Sequence, residues 1–225
     1  MFYLIVKSMK KITRMAILAI AVLTTTGIRA QSLEVGADIV SSYVWRGTQF
    51  AGASVQPGIT YSNGGFSAGA WGSTSFDGTF LEADLFLSYE FGFGLSLGIT
   101  DYYFPGTNYF DLTKATGAHG FEVNLGYSLK DLSFSANYMI NEAGGAATAG
   151  ADMYFEASYA FKSFSLFVGA GNGWHTPDGK FGLVNTGITT EKSIAITDRF
   201  SLPVAASLVL NPTTQQFHIV AAITL

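Results

Sequence analysis

Between Leu33 and Leu225, apolar residues recur at every second position in a series of short stretches. Residues 80–91 show it most clearly. Leu81, Ala83, Leu85, Leu87, Tyr89 and Phe91 share one parity, and Phe80, Glu82, Asp84, Phe86, Ser88 and Glu90 share the other. A period of two marks a β-strand whose faces meet different surroundings. Sustained along the chain behind an export signal, it predicts an all-β fold: a transmembrane antiparallel up-and-down β-barrel, with lipid outside and a wetter lumen inside.

Turn signals divide the chain into twelve candidate strands: 33–45, 54–62, 66–76, 79–91, 93–104, 120–128, 132–141, 152–161, 164–172, 182–196, 201–210 and 215–225. Their connections alternate in character. Those at 62–65, 91–93, 129–131, 162–163 and 197–200 are short. Those at 46–53, 105–119, 142–151 and 173–181 are longer and rich in Gly, Thr, Asn and Pro, with 77–78 and 211–214 as shorter members of the same set. Short turns on one rim and long loops on the other is the arrangement of an outer-membrane barrel, with the short turns periplasmic. Tyr61, Phe66, Tyr89, Phe91, Phe93, Tyr159, Phe161 and Phe164 flank the short turns, as an interfacial girdle would. The weakest alternation lies in 182–200, where keeping Ile188 and Ile194 on lipid also sends Lys192 outward unless a bulge intervenes. A break there would make the total ten or fourteen. A soluble β-sandwich is the structural alternative for so many strands, but it has no need of outward aromatics at so many strand ends.

Composition narrows the picture. A mean hydropathy of +0.31 and 48% hydrophobic residues would suit membrane helices. Yet nothing after residue 30 approaches the roughly 18 consecutive apolar residues such a helix needs. Charged residues at 12% are far fewer than a soluble enzyme carries. The absence of cysteine excludes disulfides, thiolate metal sites and a lipidated N-terminal Cys.

Residues 1–30 read as a signal peptide, and 31–225 as the barrel domain. Lys10, Lys11 and Arg14 supply the positive segment, Met15 to Leu23 the apolar one, and Thr24 to Ala30 the approach to cleavage before Gln31. Translation could equally start at Met9. Removing this segment takes away Lys7, Lys10, Lys11, Arg14 and Arg29, leaving seven basic against sixteen acidic side chains, a net charge of −9. So acidic a domain argues against nucleic acid as a partner. The expected partners are outer-membrane lipids, lipopolysaccharide and small hydrophilic solutes; oligomeric state is left open.

With apolar parity outward, the inward face collects Glu34, Asp38 and Arg46 on the first strand and Glu82, Asp84 and Glu90 on the fourth, followed by Glu122, Asp152, Glu156, Glu191 and His218. A Lys or Arg on lipid near the midplane costs about 2–4 kcal/mol, so insertion requires this segregation. Strand direction sets Arg46 level with Glu82, Asp84, Glu122, Asp152 and Glu156. One cation facing several carboxylates is either a belt that biases a pore toward cations and neutral polar solutes or a salt-bridged plug.

The residues around Arg46 carry a family likeness. Ser41, Ser42, Tyr43, Val44, Trp45, Arg46 and Gly47, then Gln56, Pro57, Gly58 and Tyr61, then Gly65, Phe66 and Gly69 to Ser73, resemble the opening of TorF-type porins. The likeness is specific over 38–73 and implies an outer-membrane barrel assigned to porins, with no catalytic residue. Outer-membrane strands usually end on Phe, whereas this one ends on Leu225.

Chemistry finds little support. A barrel lipase needs Ser and His on the lipid face near the rim. His218 points inward, while His119 and His175 fall in predicted loops, where pairs with Asp111 and Asp178 suit solvated loops better than a protease site. Neither metal nor cofactor is expected, because three scattered His form no ligand set. The chain is therefore read as a non-enzymatic channel of the bacterial outer membrane for passive diffusion of small hydrophilic solutes. The alternative is a non-conducting structural or adhesive barrel acting through its extracellular loops.

Overall fold

The computed structural model describes residues 31–106 and 108–225, so the predicted signal peptide lies outside the described residues. In chain order the strands are β1 (Ser32–Val40), β2 (Tyr43–Trp45), β3 (Thr48–Ala51), β4 (Ser54–Asn63), β5 (Phe66–Ser75), β6 (Leu81–Glu90), β7 (Leu95–Tyr103), β8 (His119–Leu129), β9 (Leu132–Met139), β10 (Met153–Ala160), β11 (Ser165–Gly171), β12 (Gly182–Thr197), β13 (Phe200–Asn211) and β14 (Gln216–Thr224). All except β2 and β3 form one closed barrel. From β4 to β14 each strand pairs antiparallel with the next in sequence, and β1 closes the ring between β14 and β4. Closure leaves no unpaired sheet edge along the wall. One-turn 3₁₀ segments at Gly144–Ala146 and Gly173–His175 sit in the long loops.

Alternation decides the wall. On β6, Leu81, Ala83, Leu85 and Leu87 are exposed on the outer surface, while Glu82, Asp84 and Phe86 are buried inside. The aromatic residues beside the short turns form ring contacts: Tyr89 with Phe91 at 5.0 Å, Phe91 with Phe93 at 5.7 Å, and Tyr159 with Phe161 at 4.7 Å. The doubtful segment is one continuous strand, β12, so the barrel has twelve strands rather than ten or fourteen. It carries two irregularities, one higher up where the register with β11 shifts between Gly169 and Ala170 and one beside the short turn where the register with β13 shifts between Ala195 and Thr197, and neither falls between Ile188 and Ile194. Lys192 consequently shares the outward face of Ile188 and Ile194, and all its surroundings near the short turn are exposed.

One predicted strand is corrected. Residues 33–45 are not continuous: β1 stops at Val40, and Ser41 caps its register by donating to Ala221 O at 2.8 Å while its hydroxyl accepts from Ala221 N at 2.9 Å. Past Ser42 the chain folds into the lumen as the β2–β3 hairpin, which pairs only with itself. The hairpin turns on Arg46 and Gly47, whose φ values of 48° and 80° give the two left-handed positions of a type I′ turn. Every residue of β2 is buried, because both of its faces meet the inside of the barrel.

Candidate functional site

Arg46 is not on the first strand but at the tip of this inward hairpin. Its guanidinium reaches across the lumen to Glu122 on β8, donating from Nη1 at 2.6 Å and from Nη2 at 2.8 Å. The ring of Trp45 lies 4.4 Å from its central carbon and that of Tyr154 lies 4.3 Å away, so the cation is held between aromatic faces. Both side chains of the pair are essentially unexposed. A planar fork meeting a carboxylate in two parallel bonds fixes orientation as well as distance. Glu122 also accepts from Tyr102 Oη at 3.0 Å and from Asn124 Nδ2 at 2.7 Å.

The backbone makes room for this tip. A Cβ on Gly47 would stand 1.8 Å from Val184 O, on the bulged part of β12, and Asn211 Nδ2 donates to Gly47 O at 3.2 Å. Val44 packs with Phe167, Val209 and Val220 on one side of the lumen. Tyr43 and Trp45 pack on the other with Trp71, Phe86, Tyr102 and Met139, covered by Phe50, Phe80, Phe104 and Trp174. The upper lumen is thus an aromatic core rather than the wet interior expected.

The remaining predicted residues divide into separate groups. Glu82 accepts from Tyr43 Oη at 2.7 Å, and Asp84, two residues further on the same buried face, has no side-chain hydrogen bond. Glu156 accepts from Tyr154 Oη and from Asn185 Nδ2, the latter at 2.8 Å. Asp152 precedes β10 and accepts from the Thr148 hydroxyl. Asp38 stands apart from Arg46, taking a 2.7 Å bond from Thr224 Oγ1. His218 lines β14, where its ring meets the Gly47 backbone. Arg46 and Glu122 come together; the other acids surround the hairpin without pairing to its guanidinium. Among the described residues no other Lys or Arg is buried.

Two histidines depart from expectation. His119 opens β8 and faces the outer wall, where its partner is Asp101 rather than Asp111. His175 belongs to the lumen: its Nε2 lies 3.5 Å from Arg46 Nη1, while Asp178 pairs with Lys180 on the surface. Burial, and then the Arg46 charge, hold the His175 imidazole well below its usual pKa. Tyr102, Asn124 and Asn185 were also missed, although their inward parity on strands was a usable signal. His175 gave none, since a loop residue has no parity.

Toward the short turns the lining changes. Below Phe86 on β6 comes Ser88, and below Phe167 on β11 comes Ser165. Hydroxyls there pair across strands: Ser62 with Ser67 at 3.1 Å, Ser128 with Ser133 at 3.4 Å, and Thr189 with Ser207 at 2.7 Å.

No curated protein matches the chain. Among solved structures, the outer membrane protein OprD from Pseudomonas aeruginosa is similar at 14% identity with a TM-score of 0.31; the match covers 88% of this chain and 65% of OprD. The chain therefore spans less than two thirds of that protein's length. A family model described as "Bacterial protein of unknown function (Gcw_chp)" matches residues 26–211. The TorF-type likeness is a separate matter and rests on residues 38–73 alone. By a match over most of its length, the chain belongs to the Gcw_chp family of bacterial proteins.

Proposed function

We propose that the protein is a channel of the bacterial outer membrane whose upper lumen is constricted by the β2–β3 hairpin, and which passes small hydrophilic solutes, cations and neutral molecules ahead of anions. The observation that carries this reading is the sorting of side chains across one wall. Leu85, Leu87, Leu97, Val123 and Leu125 face outward, while Asp38, Glu82, Asp84, Glu122 and Glu156 are buried inside with Arg46. An apolar exterior suits hydrocarbon, and a carboxylate-rich interior repels anions. The TorF-type likeness of residues 38–73 supports the same reading. In it, residues 1–30 are cleaved on export, the short turns face the periplasm, and membrane lipid and lipopolysaccharide surround the wall.

The aromatic packing of the upper lumen also favours a second reading, a non-conducting barrel that acts through its loops. Purified full-length protein in a planar bilayer separates the two. The channel reading expects infrequent, cation-preferring steps from the wild type and more frequent steps from Arg46→Ala, which frees the hairpin. Correctly folded protein that stays silent in both forms establishes the non-conducting reading instead.

A further inference from the structure

The outer wall carries a hydrogen-bonded polar pair of its own, His119 with Asp101. On β7 and β8 the outward positions run Leu97, Ile99, Asp101 and Tyr103, and Val123, Phe121 and His119, rising toward the long loops. His119 Nδ1 lies 2.9 Å from each carboxylate oxygen of Asp101, and Nε2 lies 2.7 Å from the carbonyl oxygen of Tyr109. Although its position is outward, His119 is only 3% exposed, because the loop after β7 lies against it. Tyr109 meets the imidazole edge-on at 4.9 Å and Tyr103 at 5.0 Å, while Tyr103 and Phe121 stack on the imidazole at 4.6 and 6.0 Å. This part of the loop folds down the outside of the barrel, not over the lumen.

Its next residues are apolar and uncovered: Phe110 is 85% exposed and Leu112 is 63% exposed. They are also held in place. Phe110 N donates to Asn108 Oδ1 at 3.1 Å, and the Asp111 carboxylate accepts from Thr113 N and from the hydroxyls of Thr113 and Thr116. Gly117 O accepts from Gly145 N and Ala146 N, tying the loop to its neighbour. Phe110 meets the Tyr109 ring edge-on at 5.2 Å and so continues the outward aromatic surface that Tyr103, Tyr109 and Phe121 build around His119, and aromatic side chains are favoured at a membrane interface.

We infer that residues 108–112 are a lipid anchor, seating Phe110 and Leu112 at the headgroup–acyl boundary of the outer leaflet, with His119 and Asp101 pinning the anchor to the barrel wall. The partner is membrane lipid, and the inference rests on the reading of the barrel as membrane-spanning. Pairing removes the cost of presenting Asp101 alone to this surface, and Tyr109 shields the pair. A lone aromatic on a solvated loop would not need such a clamp.

The cysteine-free chain allows a direct test. Leu112→Cys, labelled with an environment-sensitive fluorophore and reconstituted in phosphatidylcholine vesicles, is expected to emit to the blue and to be quenched by lipid brominated near the top of its acyl chain. Adding His119→Ala should abolish most of that quenching while the barrel stays folded. Labels at Leu97→Cys and Asp178→Cys set the references for mid-wall and water. If position 112 behaves like position 178 while position 97 is quenched by deeply brominated lipid, the anchor is wrong and the membrane barrel stands. If position 97 is also unquenched in folded protein, the membrane reading itself fails.

Discussion

The upper and lower halves of the lumen share one wall and one alternation, yet they are built from different chemistry. Above Phe86 and Phe167 the inward positions include Trp71, Tyr102, Met139 and Tyr154; Tyr43 and Trp45 of the hairpin pack on this aromatic side, and Val44 is buried against Phe167, Val209 and Val220. Below, many inward positions are serines and threonines that bond to their cross-strand neighbours, with Glu34 and Glu90 near the short-turn rim. Strand pairing is continuous through both halves, so the wall does not cause the difference. The cause is what faces the wall across the lumen. Where the hairpin fills the space, inward side chains pack and Arg46, Glu82, Glu122 and Glu156 are each held by a side-chain partner; where nothing crosses, a hydroxyl suffices, because water completes its bonds.

Breaking the Arg46–Glu122 pair should produce the largest effect. Glu122→Leu leaves a guanidinium buried without its carboxylate, and losing one partner of a buried pair costs about 3–5 kcal/mol. The hairpin should be driven out of the lumen, seen as protease cleavage near Arg46 and a lowered thermal transition. A variant as stable and as resistant as wild type would mean that the aromatic packing alone holds the hairpin.

Gly47→Ala attacks the same region through the backbone. With φ at 80° and Val184 O at 1.8 Å from an added Cβ, the tip must move away from β12. Left-handed strain at a non-glycine residue costs on the order of 1–3 kcal/mol, before the clash is counted. The Arg46–Glu122 bonds should lengthen or break, read from Trp45 fluorescence, while the short-turn half keeps its amide protection. Loss of protection in both halves would show that the two are one cooperative unit.

These residues also show how far the sequence carries. Period-two patterning recovered all twelve barrel strands, because the outer and inner faces of a barrel wall impose different demands on alternate positions. It failed at 41–51 for the same reason: a hairpin inside the lumen has no outer face, so Tyr43, Val44 and Trp45 continue the pattern of β1 without belonging to it. The segment from Ser41 to Gly47 stood out only by its family likeness; that Arg46 and Gly47 form a left-handed turn was not legible, and Arg46 was read onto the first strand. Inward parity found Glu122 and Glu156. It could not find that Glu122 alone meets Arg46, since that depends on how deep the hairpin enters, nor that a loop brings His175 beside the guanidinium.

A smaller effect should follow acidification. His175 is held neutral by burial and by Arg46, with Trp45 and Tyr154 against its ring, so its folded pKa lies below the usual 6.5. Above about 6.5 the imidazole is neutral in closed and opened states alike and its contribution is intact. As pH falls below that value the opened state takes up a proton first, and the closed hairpin loses stability. Protease sensitivity of the hairpin should therefore rise on mild acidification, and His175→Gln should flatten the profile. A profile unchanged by His175→Gln would assign the acid response to the lumenal carboxylates.

The smallest expected effect tests the lower half directly. Ser207 and Thr189 share a buried 2.7 Å bond, and in a dry core Ser207→Ala would leave the Thr189 hydroxyl unsatisfied at about 1–3 kcal/mol. If water reaches this level of the lumen, Thr189 is rehydrated and the loss shrinks to within about 0.5 kcal/mol, as for a substitution at a solvated site. Asn185→Ala is the matching change above, where Tyr154 and Glu156 lose their donor in a packed environment and the larger penalty applies. Denaturant unfolding of the two variants in the same detergent measures the difference. Equal losses would erase the distinction between a packed upper lumen and a wet lower one, and with it the conclusion that the hairpin, rather than the wall, decides the chemistry of the lumen.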